Sequence, residues 1–227
     1  MADFITARHR VAIAGLVLDQ ITGKPLAGAQ LEITAKPAAY AKKLELLRIG
    51  RAALVDRSGT TRTRQDGLFF FLDLPEGKYE LVGFMSTKRS NLEQPAKANG
   101  EPDSLQWMWD KRYGKATFKA SVSYGQESFD KLTVLHLGPT GITGRVLTSA
   151  NNAALMMAEV RLKGSGERTF TDSKGEFTLS GIQPNERQER MLQIRARGYR
   201  DQSLPVMVDK PGSCKRLEDI KLVREGE

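Results

Sequence analysis

The chain has 227 residues, 40% hydrophobic and 27% charged, a composition that can bury cores and excludes a disordered chain. Lys and Arg outnumber Asp and Glu by 35 to 27, and the formal charge of +8 favours acidic partners: nucleic acid, an anionic membrane or an acidic protein surface. The single cysteine, Cys214, excludes an intrachain disulfide and a Cys-based zinc site, and no window approaches the ~20 apolar residues of a membrane span.

The N-terminal stretch MADFITARHRVAIAG lacks the apolar segment of a secretory signal, so a cytoplasmic location is expected. In residues 12–33, AIAGLVLDQITGKPLAGAQLEI, apolar and polar residues alternate, break at Thr22-Gly23-Lys24-Pro25 and alternate again. That pattern predicts two antiparallel strands with one buried face.

Residues 35–58 are rich in Ala, Leu, Lys and Arg, and Tyr40, Leu44 and Leu47 fall at i, i+4 and i+7, predicting an amphipathic helix. Cations outnumber acids in it, and Tyr40, Lys42, Lys43, Arg48 and Arg51 form a first group of candidate partner-binding residues. The competing reading is a helix that caps one open end of the fold with its basic face in water.

At Thr63-Arg-Gln-Asp-Gly a strand is expected to enter a turn in which Gly67 supplies the backbone conformation. A hairpin is predicted, its second strand leaving with the aromatics of Phe69 and Phe71 directed into the core, and Tyr79-Glu-Leu-Val reads as the next strand. Residues 85–113 then form a second insertion, a polar loop followed by a short helix that Asp103 or Ser104 would cap. Trp107, Trp109 and Tyr113 on it complete the candidate partner-binding set, since Trp, Tyr and Arg dominate the energetics of interfaces; folding back over an exposed sheet is the alternative. A closing strand is expected at 129–137.

The second half repeats this order. Aligning Gly15 with Gly144 also places Val17 on Val146, Leu31 on Val160 and Ile33 on Leu162, and further on Gly67 matches Gly175, Phe69 matches Phe177 and Phe71 matches Leu179. Neither insertion has a counterpart. The expectation is an all-β chain of two tandem immunoglobulin-like, transthyretin-like β-sandwiches, 1–138 and 139–227, the first with insertions at about 35–58 and 85–113 and the boundary near Gly138-Pro139-Thr140-Gly141.

The order G-x-V, a Lys-Pro turn, L-A-G-A-x-L-x-I, then T-x-x-D-G-x-F-x-F-x-x-L-x-x-G-x-Y-x-L resembles the carboxypeptidase regulatory-like, transthyretin-like domain in both halves. The second copy departs from it with Ala154 where Pro25 stands and Lys174 where Asp66 stands. The resemblance implies a seven-stranded sandwich and little about function, because such modules serve many roles.

Enzymes on related sandwiches set a strict test. Hydroxyisourate hydrolases need several histidines and a C-terminal Tyr-Arg-Gly-Ser, whereas here Tyr199-Arg200 is followed by Asp201-Gln202; intradiol dioxygenases need two Tyr and two His around iron, and His9 and His136 stand in different settings. No catalytic residue, metal ligand, cofactor or small-molecule substrate is therefore expected. The expected role is a non-enzymatic structural or adaptor protein that docks onto subunits of a larger assembly, resembling peripheral cap or baseplate-decorating components of contractile injection systems. The alternative is a glycan- or anionic-surface-binding module using Trp107, Trp109 and the basic helix; nucleic acid is disfavoured because no reader motif is present.

Overall fold

A computed structural model describes residues 9–50, 59–88, 107–123, 132–185 and 188–226. The described chain is built of β-strands with one helix, and it divides into two compact units: Met1–Asp110 with Lys115–Leu137, and Lys111–Gly114 with Gly138–Glu227. Three residues of the 85–113 segment, Lys111 to Tyr113, thus cluster with the second unit.

In the first unit β1 (Val11–Asp19) lies between β4 (Leu68–Leu72) and β8 (Thr133–Leu137), pairing antiparallel with β4 and parallel with β8. The facing sheet has the order β3 (Thr60–Arg62), β2 (Ala29–Ala35), β5 (Gly77–Lys88), with β6 (Trp107–Trp109) and β7 (Ala116–Val122) both pairing with β5. Between these come α1 (Ala38–Gly50) and the connecting loops. Val17, Leu31, Phe69, Leu81 and Leu137 are fully buried, and the rings of Phe69 and Phe118 meet at 5.9 Å across the two sheets.

The second unit repeats this plan. β9 (Gly141–Thr148) pairs antiparallel with β12 (Glu176–Ser180) and parallel with β15 (Cys214–Arg216) and β16 (Ile220–Leu222). The facing sheet runs β11 (Arg168–Phe170), β10 (Glu159–Leu162), β13 (Arg190–Arg195), β14 (Gln202–Val206). Ile142, Val146, Val160, Leu192 and Ile194 fill its core with no exposure. The all-β, two-sandwich architecture expected from the repeat is present.

The local pairing differs from the sequence expectation at two turns. β1 and β2 do not form a hairpin: one bridge ties Leu18 of β1 to Pro25 of the connecting segment, and the two strands lie in different sheets. Nor is the turn at Gly67 a hairpin, because β3 pairs with β2 and β4 with β1. Alternation is satisfied equally by strands that face each other across a core, and that is what the chain does at both turns.

A buried threonine holds this double crossing together in each copy. Thr63 Oγ1 donates to the Leu26 carbonyl (2.6 Å) and accepts from the Ala29 N–H (2.8 Å). Thr171 Oγ1 does the same with Leu155 (2.6 Å) and Ala158 (2.8 Å). Each therefore satisfies backbone groups that the crossing removes from water, where unpaired groups would be costly.

Gly67 (φ 77°) and Gly175 (φ 73°) close the adjoining turn in the left-handed region; a Cβ there would lie 2.8 Å from the Val17 carbonyl and 2.4 Å from the Val146 carbonyl. The two departures in the second copy leave this turn intact. Ala154 bridges Leu147 as Pro25 bridges Leu18, and Asp172 accepts from the Lys174 and Glu176 N–H groups, supplying the carboxylate that Asp66 gives to Leu68.

Candidate functional site

The sequence-predicted site residues that the structure describes stand in different surroundings. Tyr40, expected on a partner, is 3% exposed and its ring meets Tyr79 edge-on at 5.9 Å, so it anchors α1 to its own unit. The reason is geometric: an i, i+4 apolar series on a surface helix faces the body it packs on. Lys42 and Lys43 are exposed, and Lys43 Nζ donates to the Asp73 carbonyl (2.9 Å). Arg51 and the side chain of Arg48 lie outside the described residues.

The aromatic insertion also differs from its expected helix. Trp107–Trp109 forms a strand because the outer half of β5 offers Ser86–Lys88 as a ladder partner, and aromatic residues suit a pleated surface. Asp103, Ser104 and Leu105 are outside the described residues, as is the Trp107 side chain. Trp109 is half-buried with Lys115 Nζ 4.6 Å from its ring centre, and the same ammonium lies 5.1 Å from Phe84. A cation from the protein itself therefore sits on this face of the ring. Tyr113 belongs to the second unit and bridges Pro139.

What the structure does bring together is an apolar outer face on the sheet β4–β1–β8 of the first unit. Phe69 and Phe71 turn inward, but Phe70 between them turns outward. Phe69 and Phe71 thus point as the alternation predicts, and Phe70 is left on the outer face. Leu16 lies in register between Leu68 and Val134, and Ala14 opposite Phe70. Leu72, Leu132 and Val134 are 47%, 48% and 47% exposed. His136, beside Leu18, is the one ionisable side chain of the three strands' outer face, and it is exposed.

The second unit supplies the control. At the matching register positions Arg145 stands opposite Glu176 where Leu16 stands opposite Leu68, and Thr143 opposite Thr178 where Ala14 stands opposite Phe70. Lys221 beside Leu147 takes the place of His136 beside Leu18. This mixed sheet turns Arg145, Glu176, Thr143, Thr178 and Lys221 outward, the polar face that a sheet packed on one side ordinarily shows to water. The first unit does not, and contiguous apolar surface beyond what a monomer ordinarily exposes marks interaction sites.

The face ends at Asp73, which follows Leu72 with φ 54°. Its carboxylate accepts from the Arg10 N–H (2.8 Å) and pairs with His9 Nδ1 (2.5 Å). The His9 hydrogen bond first, then the Arg10 amide, holds its carboxyl below the ordinary value of 3.8. Lys43 on its carbonyl places an ammonium at the Leu72 end of the apolar face.

Residues 142–219 match the family model of the CarboxypepD_reg-like domain. The match lies within the second unit and agrees with the resemblance that the sequence motifs carry. No curated protein matches the chain. Among solved structures it is similar to the shaft pilin SpaA from Lactobacillus rhamnosus GG, at 14% identity over 98% of this chain and 99% of that one, TM-score 0.40. It is also similar to the Bacillus anthracis TIE protein, at 13% identity over 94% and 34%, TM-score 0.35. A chain of a type II cohesin–X-dockerin complex from Acetivibrio cellulolyticus matches at 17% identity, TM-score 0.31; the match covers 37% of this chain and 56% of that chain's length. The fold is read from strand pairing itself rather than from these likenesses.

Among the described residues, no three His, Cys, Asp or Glu side chains come together as metal ligands, and no helix is long and apolar enough to cross a membrane. An open groove of about 430 Å³ in the second unit runs between β14 and residues 217–221, and none of its lining residues is aromatic. The signal that sequence reasoning passed over is the absence of any polar position in LFFFL at 68–72, against alternating EFTLS at 176–180.

Proposed function

We propose that the protein is a non-enzymatic assembly or adaptor protein that docks onto a protein partner through the apolar outer face of β4–β1–β8. The observation that carries this reading is the register comparison: Leu16 beside Leu68 in one unit, Arg145 beside Glu176 in the other. The buried cores and the threonine crossing are the same in both copies, so the apolar outer face is not a requirement of the fold.

A protein partner is favoured over a membrane by the face's shape and composition. A pleated aliphatic sheet packs on another sheet or a helix, whereas membrane-interface surfaces favour Trp and Tyr, and neither residue occurs in β1, β4 or β8. The glycan alternative is weakened by the Lys115 ammonium on Trp109 and by the lack of aromatics in the second-unit groove. The finer reading is a peripheral cap or baseplate-decorating component of a contractile injection system that assembles in the cytoplasm; the motif resemblance supports it.

The test transplants the second unit's own residues onto the first: Leu16→Arg, Leu68→Glu and Phe70→Thr together. The tagged wild-type chain, purified from its host at high salt, is expected to retain protein partners in fixed ratio, and the triple variant to lose them while still folding. Equal retention by both would contradict the reading, as would a wild-type chain that carries glycan or lipid and no protein.

A further inference from the structure

The facing sheet of the second unit presents a different anomaly, independent of the apolar face. Its outer surface reads in rows across β11, β10, β13 and β14. In one row Arg168 stands directly opposite Arg161, which stands opposite Gln193. Like charges directly opposite on neighbouring strands cost stability. Arg168 reaches Glu159 at 3.8 Å, while Arg161 is exposed and makes no ion pair among the described residues. Arg195 is neutralised by Asp201 at 2.8 Å. The uncompensated charge therefore concentrates at Arg161 and the neighbouring exposed Lys163.

Apolar side chains flank these cations. Phe170 on β11 is 47% exposed, and Met191, paired with Pro205, is 36% exposed beside the Lys163 backbone. The same positions of the first unit hold an ordinary solvated surface: Glu32 opposite Thr60 replaces Arg161 opposite Arg168, and Lys119 pairs with Glu80 at 3.1 Å. The repulsive pair is thus not a consequence of the topology.

We infer that this outer face, centred on Arg161 and Lys163, docks the acidic surface of a protein partner whose carboxylates alternate with apolar side chains. Charge complementarity identifies the partner's sign. The flanking Phe170 and Met191 identify its class, because Arg, Met and aromatic residues together mark protein interfaces. A surface built for a phosphate backbone rests on basic and polar contacts along it, and Phe170 and Met191 interrupt such a track here.

The test uses the full chain and a fluorescently labelled peptide of alternating Glu and Leu, with a Lys–Leu peptide as its opposite, followed by anisotropy. Binding of the Glu–Leu peptide is expected, falling with added salt, and weakened about tenfold by Arg161→Glu. That variant faces Arg168 with an acid, so its melting temperature is expected to hold or rise; Arg161→Gln is the milder companion. The Leu16→Arg, Leu68→Glu, Phe70→Thr chain should bind the peptide as wild type does, which separates this inference from the docking role of the first unit. No binding, binding indifferent to Arg161→Glu, or tighter binding of duplex DNA or phosphatidylglycerol vesicles would overturn it.

Discussion

The two units bury the same pattern and expose opposite ones. Phe69 and Phe177 occupy one core position, Val17 and Val146 another, and Thr63 and Thr171 make the same hydrogen bonds to the same turn. Outside, the first sheet is apolar in the first unit and polar in the second, while the facing sheet is charge-paired in the first and carries opposed arginines in the second. A fold repeated within one chain separates what the sandwich needs from what each copy has been free to change. Inward residues and the crossing threonines belong to the first category, and the outer faces to the second.

Breaking what the units share should produce the largest effects. Within the three consecutive phenylalanines, Phe69→Ala is expected to cost about 3–5 kcal/mol by leaving a cavity. Phe70→Thr should cost less than about 1 kcal/mol, as surface changes do. Chemical denaturation of the two variants checks the contrast. Gly175→Ala sets a Cβ 2.4 Å from the Val146 carbonyl at φ 73° and is expected to cost about 3 kcal/mol. Thr171→Val leaves the Ala158 N–H and the Leu155 carbonyl unpaired, for about 2–3 kcal/mol, and Thr63→Val should cost about as much, since it is also buried and makes the same two bonds.

Swapping what the units do not share should leave stability nearly untouched. The transplanted Leu16→Arg, Leu68→Glu, Phe70→Thr chain is expected within about 1 kcal/mol of wild type, since Arg145, Glu176 and Thr178 already occupy these positions in a folded copy. Loss of the folded state on urea titration would mean that the apolar face is core, not surface. The smallest effect is at the Asp73 end. Its carboxyl is held low in the folded chain, so the contact with His9 and Arg10 is complete above the ordinary carboxylate value and is lost as pH falls through the lowered one. The Asp73 carboxyl carbon, followed by NMR, should titrate below 3.8, and a midpoint at or above that value would contradict the hydrogen-bonded geometry.

The core was legible because it obeys two rules at once, period-two alternation and repetition. Val17, Phe69 and Leu31 could be assigned inward from either. Hairpins and sheet-to-sheet crossings share the same alternation, so only the pairing of β3 with β2 and β4 with β1 distinguishes them. Tyr40 was ambiguous for a similar reason: the residues that make a helix amphipathic are those it buries against its own body. Trp107–Trp109 is too short for its period to separate helix from strand, and its pairing with β5 decided the matter. The candidate face was visible in LFFFL only when the second copy's EFTLS was set beside it, because an outward phenylalanine has no signature except what stands at its equivalent position.

The most direct measurement is hydroxyl-radical footprinting of the chain, free and bound to the partner it retains at high salt, read by mass spectrometry. Peptides spanning Leu68–Leu72 and Thr133–Leu137 are expected to lose most of their labelling at Leu68, Phe70 and Val134 on binding, while the matching peptide Glu176–Ser180 stays as reactive as in the free chain. Unchanged labelling of Phe70 and Val134 in the complex would contradict the claim that this face is where the protein docks.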